Sequence, residues 1–178
     1  EMNIMNSSEV MEIVIHKEDI QREVKKMADR ICKEHKASGN DLPPVMICVL
    51  NGAFMFFTDL VKNMSIDVQI DFIRAKSYDG KDNSGGVEIL KDIEIDLKGK
   101  RVYIIEDIID TGATMLEILQ SVNGKVPNEV TIVTLVQRKE PFMNLDHYCF
   151  EIGEEWIVGY GLDDYSLKRN YNNIYKIN

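Results

Sequence analysis

Apolar side chains recur along this chain with two different periods, and the switches between them mark out its elements. Between residues 17 and 37, Ile20, Val24, Met27 and Ile31 fall at spacings of four, three and four, the stripe of an amphipathic helix. Pro43-Pro44 ends any helix. Val45 to Leu50 follows as a short, wholly apolar run, as in a strand covered on both faces. Asn51-Gly52 is a turn signal, and Ala53 to Met64 reads as helix. Ile66, Val68, Ile70 and Phe72 alternate with polar residues and predict a strand with one wet face. Ser77 to Gly86 (SYDGKDNSGG) is polar and small, and reads as a mobile loop. Val87 to Ile95 and Arg101 to Ile109 read as strands, parted by the turn Lys98-Gly99-Lys100. Met115 to Val122 reads as helix, Val130 to Val136 as an apolar strand, and Trp156 to Tyr160 and Ile174 to Ile177 as short late strands.

Alternating apolar strands and helices predict an α/β fold, with a mainly parallel twisted sheet and helices on both faces. The 178 residues suit a single domain over 1–178. Its core would span roughly residues 40–150, and the N-terminal segment and residues from about 151 to 178 would pack together as a small cap. Ligands of such sheets sit beyond the carboxyl ends of the strands. The residues just after Leu50, Ile109, Val136 and Tyr160 are therefore the ones to question.

Charge narrows the ligand classes. The net charge is −9, which argues against nucleic acid and anionic lipid, since both demand surplus Lys and Arg. A polyphosphate ligand would need a cation or backbone donors to offset that charge. No apolar run approaches membrane-spanning length, and Glu1 to Val10 carry no basic stretch followed by an apolar one, so neither a membrane nor a secretory leader is expected. Cys32, Cys48 and Cys149 are scattered, without metal or disulfide spacing, and read as idle thiols in a reducing cytoplasm. His16, His35 and His147 are equally dispersed.

The densest chemistry lies in Val102 to Met115, VYIIEDIIDTGATM. An apolar strand runs into Glu106 and Asp107, then Asp110, then a Thr/Gly turn and a helix. Three acids within five residues repel one another. Their natural guests are a pair of vicinal hydroxyls and a magnesium ion, which take hard oxygen partners. The backbone N–H groups from Thr111 to Met115 would point out of a helix N-terminus, an anion site suited to a phosphate monoester. A diol binder beside a phosphate cradle describes a ribose 5-phosphate. Neither a Walker P-loop nor a dinucleotide fingerprint occurs.

The block EDIIDTGATM resembles the phosphoribosyl pyrophosphate motif of the hypoxanthine-guanine phosphoribosyltransferases. The resemblance extends through VLNGAFMFFTDL (49–60), DFIRAKSY (71–78) and FEIGEEWIVGYGLDDY (150–165), in family order along nearly the whole chain. It implies a type I phosphoribosyltransferase-like fold. It also implies an enzyme that joins a 6-oxopurine to the phosphoribosyl group with Mg2+ in purine salvage, as a homodimer or homotetramer. Glu106 and Asp107 would bind the ribose hydroxyls, and Asp110 would face purine N7 as general acid or base. Asp110, Thr111, Gly112, Ala113 and Thr114 would wrap the 5-phosphate. Leu50, Asn51 and Gly52 resemble the pyrophosphate loop with its cis, non-proline peptide. Ser77 and Tyr78 match the lid pair. Arg138, Trp156 and Ile157 would meet the purine, and Asp163 would stand near the base and a second magnesium beside Glu106 and Asp107. Arg169 would approach pyrophosphate.

The chain departs from the family at three places. Asn51 and Ala113 stand where relatives commonly carry Lys, which removes side-chain charge near the phosphates. Arg138 stands where they carry a base-contacting Lys, replacing a point charge with a planar fork. A xanthine-preferring enzyme and a non-catalytic regulator that senses phosphoribosyl pyrophosphate are the alternatives.

Overall fold

A computed structural model describes residues 10–78, 86–110 and 112–177. The first helix, α1 (Lys17–Ser38), follows a short strand β1 (Met11–Ile15) and buries Ile20, Val24, Met27 and Ile31 on one stripe. It ends at Gly39, whose φ of +71° gives the left-handed turn that glycine adopts without penalty. β2 (Val45–Leu50) is buried along nearly its full length, as its unbroken apolar run predicts. α2 (Phe54–Lys62) is shorter than the stretch from Ala53 to Met64 that reads as helix.

β3 (Gln69–Tyr78) begins three residues after Ile66 and runs on to Tyr78; β4 (Gly86–Lys91) stops four residues short of Ile95. β5 (Arg101–Ile108), α3 (Ala113–Asn123) and β6 (Glu129–Arg138) fall close to the segments predicted for them. β7 (His147–Ile152) and β1 have no counterpart in that reading. β8 keeps only Ile157–Val158, because Gly159 (φ +94°) and Tyr160 (φ +51°) turn the chain out of extended geometry. β9 is Ile174–Ile177.

Six strands form the main sheet in the order β4-β3-β2-β5-β6-β7, parallel except for the β3–β4 hairpin. Strand side chains alternate between faces, so β2 sends Met46 and Cys48 one way and Val45, Ile47 and Val49 the other. The first set joins Tyr103 and Ile105 of β5 beneath α1 and α2. The second joins Val102 and Ile104 beneath Met115, Ile118 and Val122 of α3. Helices thus cover both faces, as expected of parallel strands.

The two chain ends pair as a three-stranded antiparallel sheet, β1-β9-β8. Ile15, Ile157 and Ile174 root this cap in the cluster beneath α1 and α2. Asp59 of α2 fastens it further, accepting hydrogen bonds from Tyr160 Oη (2.6 Å) and Gln21 Nε2 (2.9 Å).

Asp71 of β3 is a buried carboxylate that organises the turn after β4. It accepts from the N–H groups of Phe72 (2.7 Å), Glu94 (2.7 Å) and Ile95 (2.9 Å), with Lys91 at 3.4 Å. Burial works against its charge, yet these partners together hold its pKa below the usual carboxylate value. Among the described residues no helix is long and apolar enough to cross a membrane.

Candidate active site

The carboxyl ends of β2, β5 and β6 converge with the 153–163 segment. β2 delivers Leu50, whose peptide bond to Asn51 is cis. Gly52 comes next and lies flat against Asp107; a Cβ there would run into the Asp107 carboxyl group. Gly161 closes on the same point from the cap. It sits at φ +100°, and its Cβ would run into the Gly52 carbonyl. Three chain segments therefore touch through two residues without side chains.

β5 delivers the acids. Both Glu106 and Asp107 are half-buried. Glu106 Oε1 accepts from the Asp107 N–H at 2.9 Å, and Asp107 Oδ1 accepts from the Ile108 N–H at 2.7 Å. Burial, reinforced by the neighbouring Asp107, pushes the Glu106 carboxyl well above its usual range. Asp107 is also raised by burial, although its bonds to Glu106 and Ile108 and the Arg169 charge pull it back.

The two carboxyls touch one another, yet each borders a different cleft. Glu106 lines a cleft of about 210 Å3 with Asp110, Gly112, Thr114 and Met115. Asp107 lines another of about 240 Å3 with Asp110, Arg138, Trp156, Ile157 and Asp163. Asp110 borders both.

The first cleft opens on the N-terminus of α3. Gly112 is its N-cap at φ +76° and has no side chain to cap it, and among the described residues the first turn holds no acid. Its leading N–H groups adjoin the cleft that Glu106 and Asp110 also line, and are the anion-binding element there. Thr114 is half-buried and lines the cleft, whereas Ala113 is exposed and lines neither. Thr111 lies outside the described residues.

In the second cleft Trp156 keeps 60% of its surface exposed, leaving an indole face for a planar ligand to stack on. Arg138, at the end of β6, reaches three acceptors: Asp110 Oδ1 (3.3 Å), Gly153 O (2.7 Å) and Glu155 O (2.9 Å). Its fork thereby ties the 153–155 turn to Asp110. Arg169 pairs with Asp163 at 2.8 Å and donates to Gly161 O at 2.6 Å.

Four non-glycine residues between 160 and 168 have positive φ: Tyr160, Tyr165, Ser166 and Lys168. Such angles persist only where surroundings over-determine them. Here Asp163 Oδ2 accepts from the Ser166 N–H (2.7 Å), Asp164 pairs with Lys168 (2.9 Å), and Asp164 and Leu167 exchange backbone bonds.

Of the residues singled out from sequence, Glu106, Asp110, Gly112 and Thr114 gather in one cleft, and Asp107, Asp110, Arg138, Trp156, Ile157 and Asp163 in the other. Gly52 and Arg169 adjoin the second. Asn51 is exposed beside Gly52. Ser77 is exposed, lines neither cleft and pairs with Val87 in the β3–β4 hairpin; Tyr78 pairs with Gly86. The Tyr78 side chain and residues 79–85 of the expected lid lie outside the described residues. Leu162 and Ile108 line the second cleft without having been marked by the sequence. The glycine pair Gly159-Tyr160-Gly161 was the available hint.

The donor set suits a hard cation that keeps water and substrate oxygens, since such ions take only one or two protein carboxylates. Among the described residues no three His, Cys, Asp or Glu side chains form a cage. Asp107 and Asp163 border one cleft, and Glu106, in contact with Asp107, borders the other.

Comparison with known proteins agrees with this geometry. Residues 15–165 match the family model for the phosphoribosyl transferase domain. A hypoxanthine-guanine-xanthine phosphoribosyltransferase of Tritrichomonas foetus is 33% identical over 89% of this chain and 86% of its own. A hypoxanthine-guanine phosphoribosyltransferase of Streptococcus pyogenes is 34% identical over 96% of this chain and 93% of its own. The crystal structure of a hypoxanthine phosphoribosyltransferase from Staphylococcus aureus superposes with a TM-score of 0.86 at 32% identity, covering 98% and 96% of the two chains. With its family model spanning most of the sequence and its relatives aligned nearly end to end, the chain belongs to the phosphoribosyltransferase family.

Proposed function

We propose that this phosphoribosyltransferase moves the 5-phosphoribosyl group of phosphoribosyl pyrophosphate to N9 of a 6-oxopurine, hypoxanthine and also guanine, in purine salvage. The observation that carries this reading is Asp110 at the border of two clefts, one opening on a helix N-terminus and the other on an exposed indole. A 5-phosphate fits the first, a purine the second, and the ribose spans the acid pair between them.

In this reading the bond from the ribose anomeric carbon to pyrophosphate breaks as the N9 bond forms. The Asp110 carboxylate accepts the proton that the purine sheds at N7. Orienting two substrates is worth up to ~7–11 kcal/mol. Magnesium, when bound, supplies positive charge against the leaving pyrophosphate, and Glu106, Asp107 and Asp163 are the residues to hold it. Asn51, Gly52 and Arg169 border the pyrophosphate. Ser77 and Tyr78 begin the segment that would exclude water.

Arg138 is the base-reading side chain. A guanidinium only donates, so it suits the 6-oxo group of hypoxanthine, guanine or xanthine and opposes the 6-amino group of adenine. Ile157 offers backbone atoms to the base edge. The reading treats residues 1–178 as one functional unit in a reducing cytoplasm, consistent with three free cysteines. The assembly proposed is a homodimer or homotetramer, to which the exposed side chains of Phe54 and Ile70 on α2 and β3 would offer apolar surface. Against a regulator that binds nucleic acid stands the net charge of −9.

One assay tests the proposal. The protein is incubated with phosphoribosyl pyrophosphate, Mg2+ and, in turn, hypoxanthine, guanine, xanthine, adenine and uracil, and nucleotide formation is followed. Product with hypoxanthine and none with adenine or uracil is expected. Preference for xanthine would reassign the base, and no product with any base would refute the proposal.

A further inference from the structure

The phosphate side of the site is gripped by a residue that the reaction itself does not call for. Phe142 lies in the connection between β6 and β7, and its ring packs directly on Gly112. A Cβ added at Gly112 would run into that ring at three of its carbons. Gly112 is the hinge of the cradle: it holds φ +76°, caps α3, and accepts the Leu116 N–H at 2.9 Å.

The connection that carries Phe142 is itself anchored. Lys139 N–H donates to Ile152 O at 2.8 Å, and Leu145 N–H donates to Gln137 Oε1 at 3.1 Å. Met143 packs against the core cluster that contains Met115 and Ile118 of α3. At the near end of the same segment Arg138 holds Asp110. Phe142 therefore bears on Gly112 from a segment that is fixed on both sides of it. Phe142 is not itself among the residues that line the cleft of Glu106, Asp110, Gly112 and Thr114.

We infer that Phe142 is a positioning residue for the 5-phosphate cradle, setting Gly112 so that the leading N–H groups of α3 converge on the phosphate. The inference rests on reading residues 110–114 as that cradle. The ring is 53% exposed, so truncating it removes little core packing. Its loss frees Gly112 to explore other backbone angles, because glycine has no Cβ to confine it. The cost should therefore appear in handling of the phosphorylated substrate and spare both the base and the fold.

Phe142→Ala, Phe142→Leu and Thr114→Ala should be compared by steady-state kinetics, varying phosphoribosyl pyrophosphate and hypoxanthine separately, with Tm measured for each. A misplaced cradle should raise KM for phosphoribosyl pyrophosphate on the order of tenfold in Phe142→Ala. KM for hypoxanthine and Tm should stay near their starting values, and Phe142→Leu should fall between, since a branched side chain restores part of the contact. If Thr114→Ala raises that KM while Phe142→Ala does not, the cradle stands and the positioning role is overturned. If neither variant changes it, the reading of the cradle fails and the inference goes with it. If Phe142→Ala raises both KM values alike and lowers Tm, the residue is merely structural and the inference is wrong.

Discussion

Replacing Gly161 by Ala should damage the fold and, with it, the loop proposed to bind pyrophosphate. Gly161 sits at φ +100°, where an L-residue is strained, and its new Cβ would press on the Gly52 carbonyl, a backbone atom that cannot rotate away. The dihedral alone costs ~1–3 kcal/mol. The contact adds more, because either the Gly52 loop or the 159–162 turn must move. Gly161 is also held by its N–H to Arg169 O at 2.9 Å and by Arg169 Nη1 to its own carbonyl at 2.6 Å. A total of about 2–4 kcal/mol is a large part of a typical ~5–15 kcal/mol stability. At ~2–4 °C per kcal/mol for a chain of this size, Tm should fall by roughly 5–15 °C. The displaced Gly52 loop should raise KM for phosphoribosyl pyrophosphate by about tenfold or more. Gly39→Ala supplies the control: φ is +71° there, but the added Cβ meets open space, so only the dihedral cost should appear and KM should not change. Thermal melts and steady-state kinetics on both variants decide the matter. Gly161→Ala with unchanged Tm and KM, or indistinguishable from Gly39→Ala, would refute the three-segment contact.

Other outcomes follow from single groups. Asp71 has a depressed pKa in the folded state, so it contributes stability above the unfolded carboxylate value near ~3.9 that is lost as pH falls through its lower folded value. Asp71→Asn should lower stability at neutral pH by about 1.5–3 kcal/mol and flatten the acid limb of a pH-dependent denaturation series. A limb of unchanged steepness would contradict the assignment. Glu106 has the opposite sign: its raised folded pKa makes stability fall as pH climbs from the unfolded value towards the folded one. Glu106→Gln should therefore raise Tm by a few degrees at neutral pH while weakening phosphoribosyl pyrophosphate binding; a drop in Tm would show the acid pair to be stabilising. Arg138→Ala should cut kcat/KM for hypoxanthine while leaving phosphoribosyl pyrophosphate affinity nearly intact, and retained efficiency in kinetics would move base reading to the Ile157 backbone.

The parts of this fold that sequence revealed are those whose partners are local or uniform. α1 was legible because its apolar stripe faces one core, and β2 because both its faces are covered. β1 was not: four of its five residues are exposed, and its partner Ile174–Ile177 lies at the other end of the chain. β7 escaped because its residues are only partly buried at the sheet edge, leaving no clean alternation. The acid block was legible because three carboxylates within five residues are costly without a purpose. That Glu106 and Asp107 open into different clefts required the clefts themselves to be placed. Gly52 is visible in a turn signal and Gly161 only as the residue after a predicted strand, but their contact is a meeting of loops far apart in sequence. Arg138 was placed correctly at a strand end, whereas its grip on Asp110 and two carbonyls depends on where the 153–155 turn returns. Phe142 carried no signal at all, since its role comes from the bare face of Gly112.

Asp110, set between the two clefts, is proposed to handle the purine proton. The most direct measurement is turnover of Asp110→Asn alongside its affinity for phosphoribosyl pyrophosphate. Asparagine keeps the shape and the backbone N–H but cannot take the proton. A positioned general acid or base is worth ~10²–10⁴ in rate, so kcat for hypoxanthine should drop by that order while phosphoribosyl pyrophosphate binds almost as before. Turnover close to that of the unaltered protein would remove Asp110 from the chemistry.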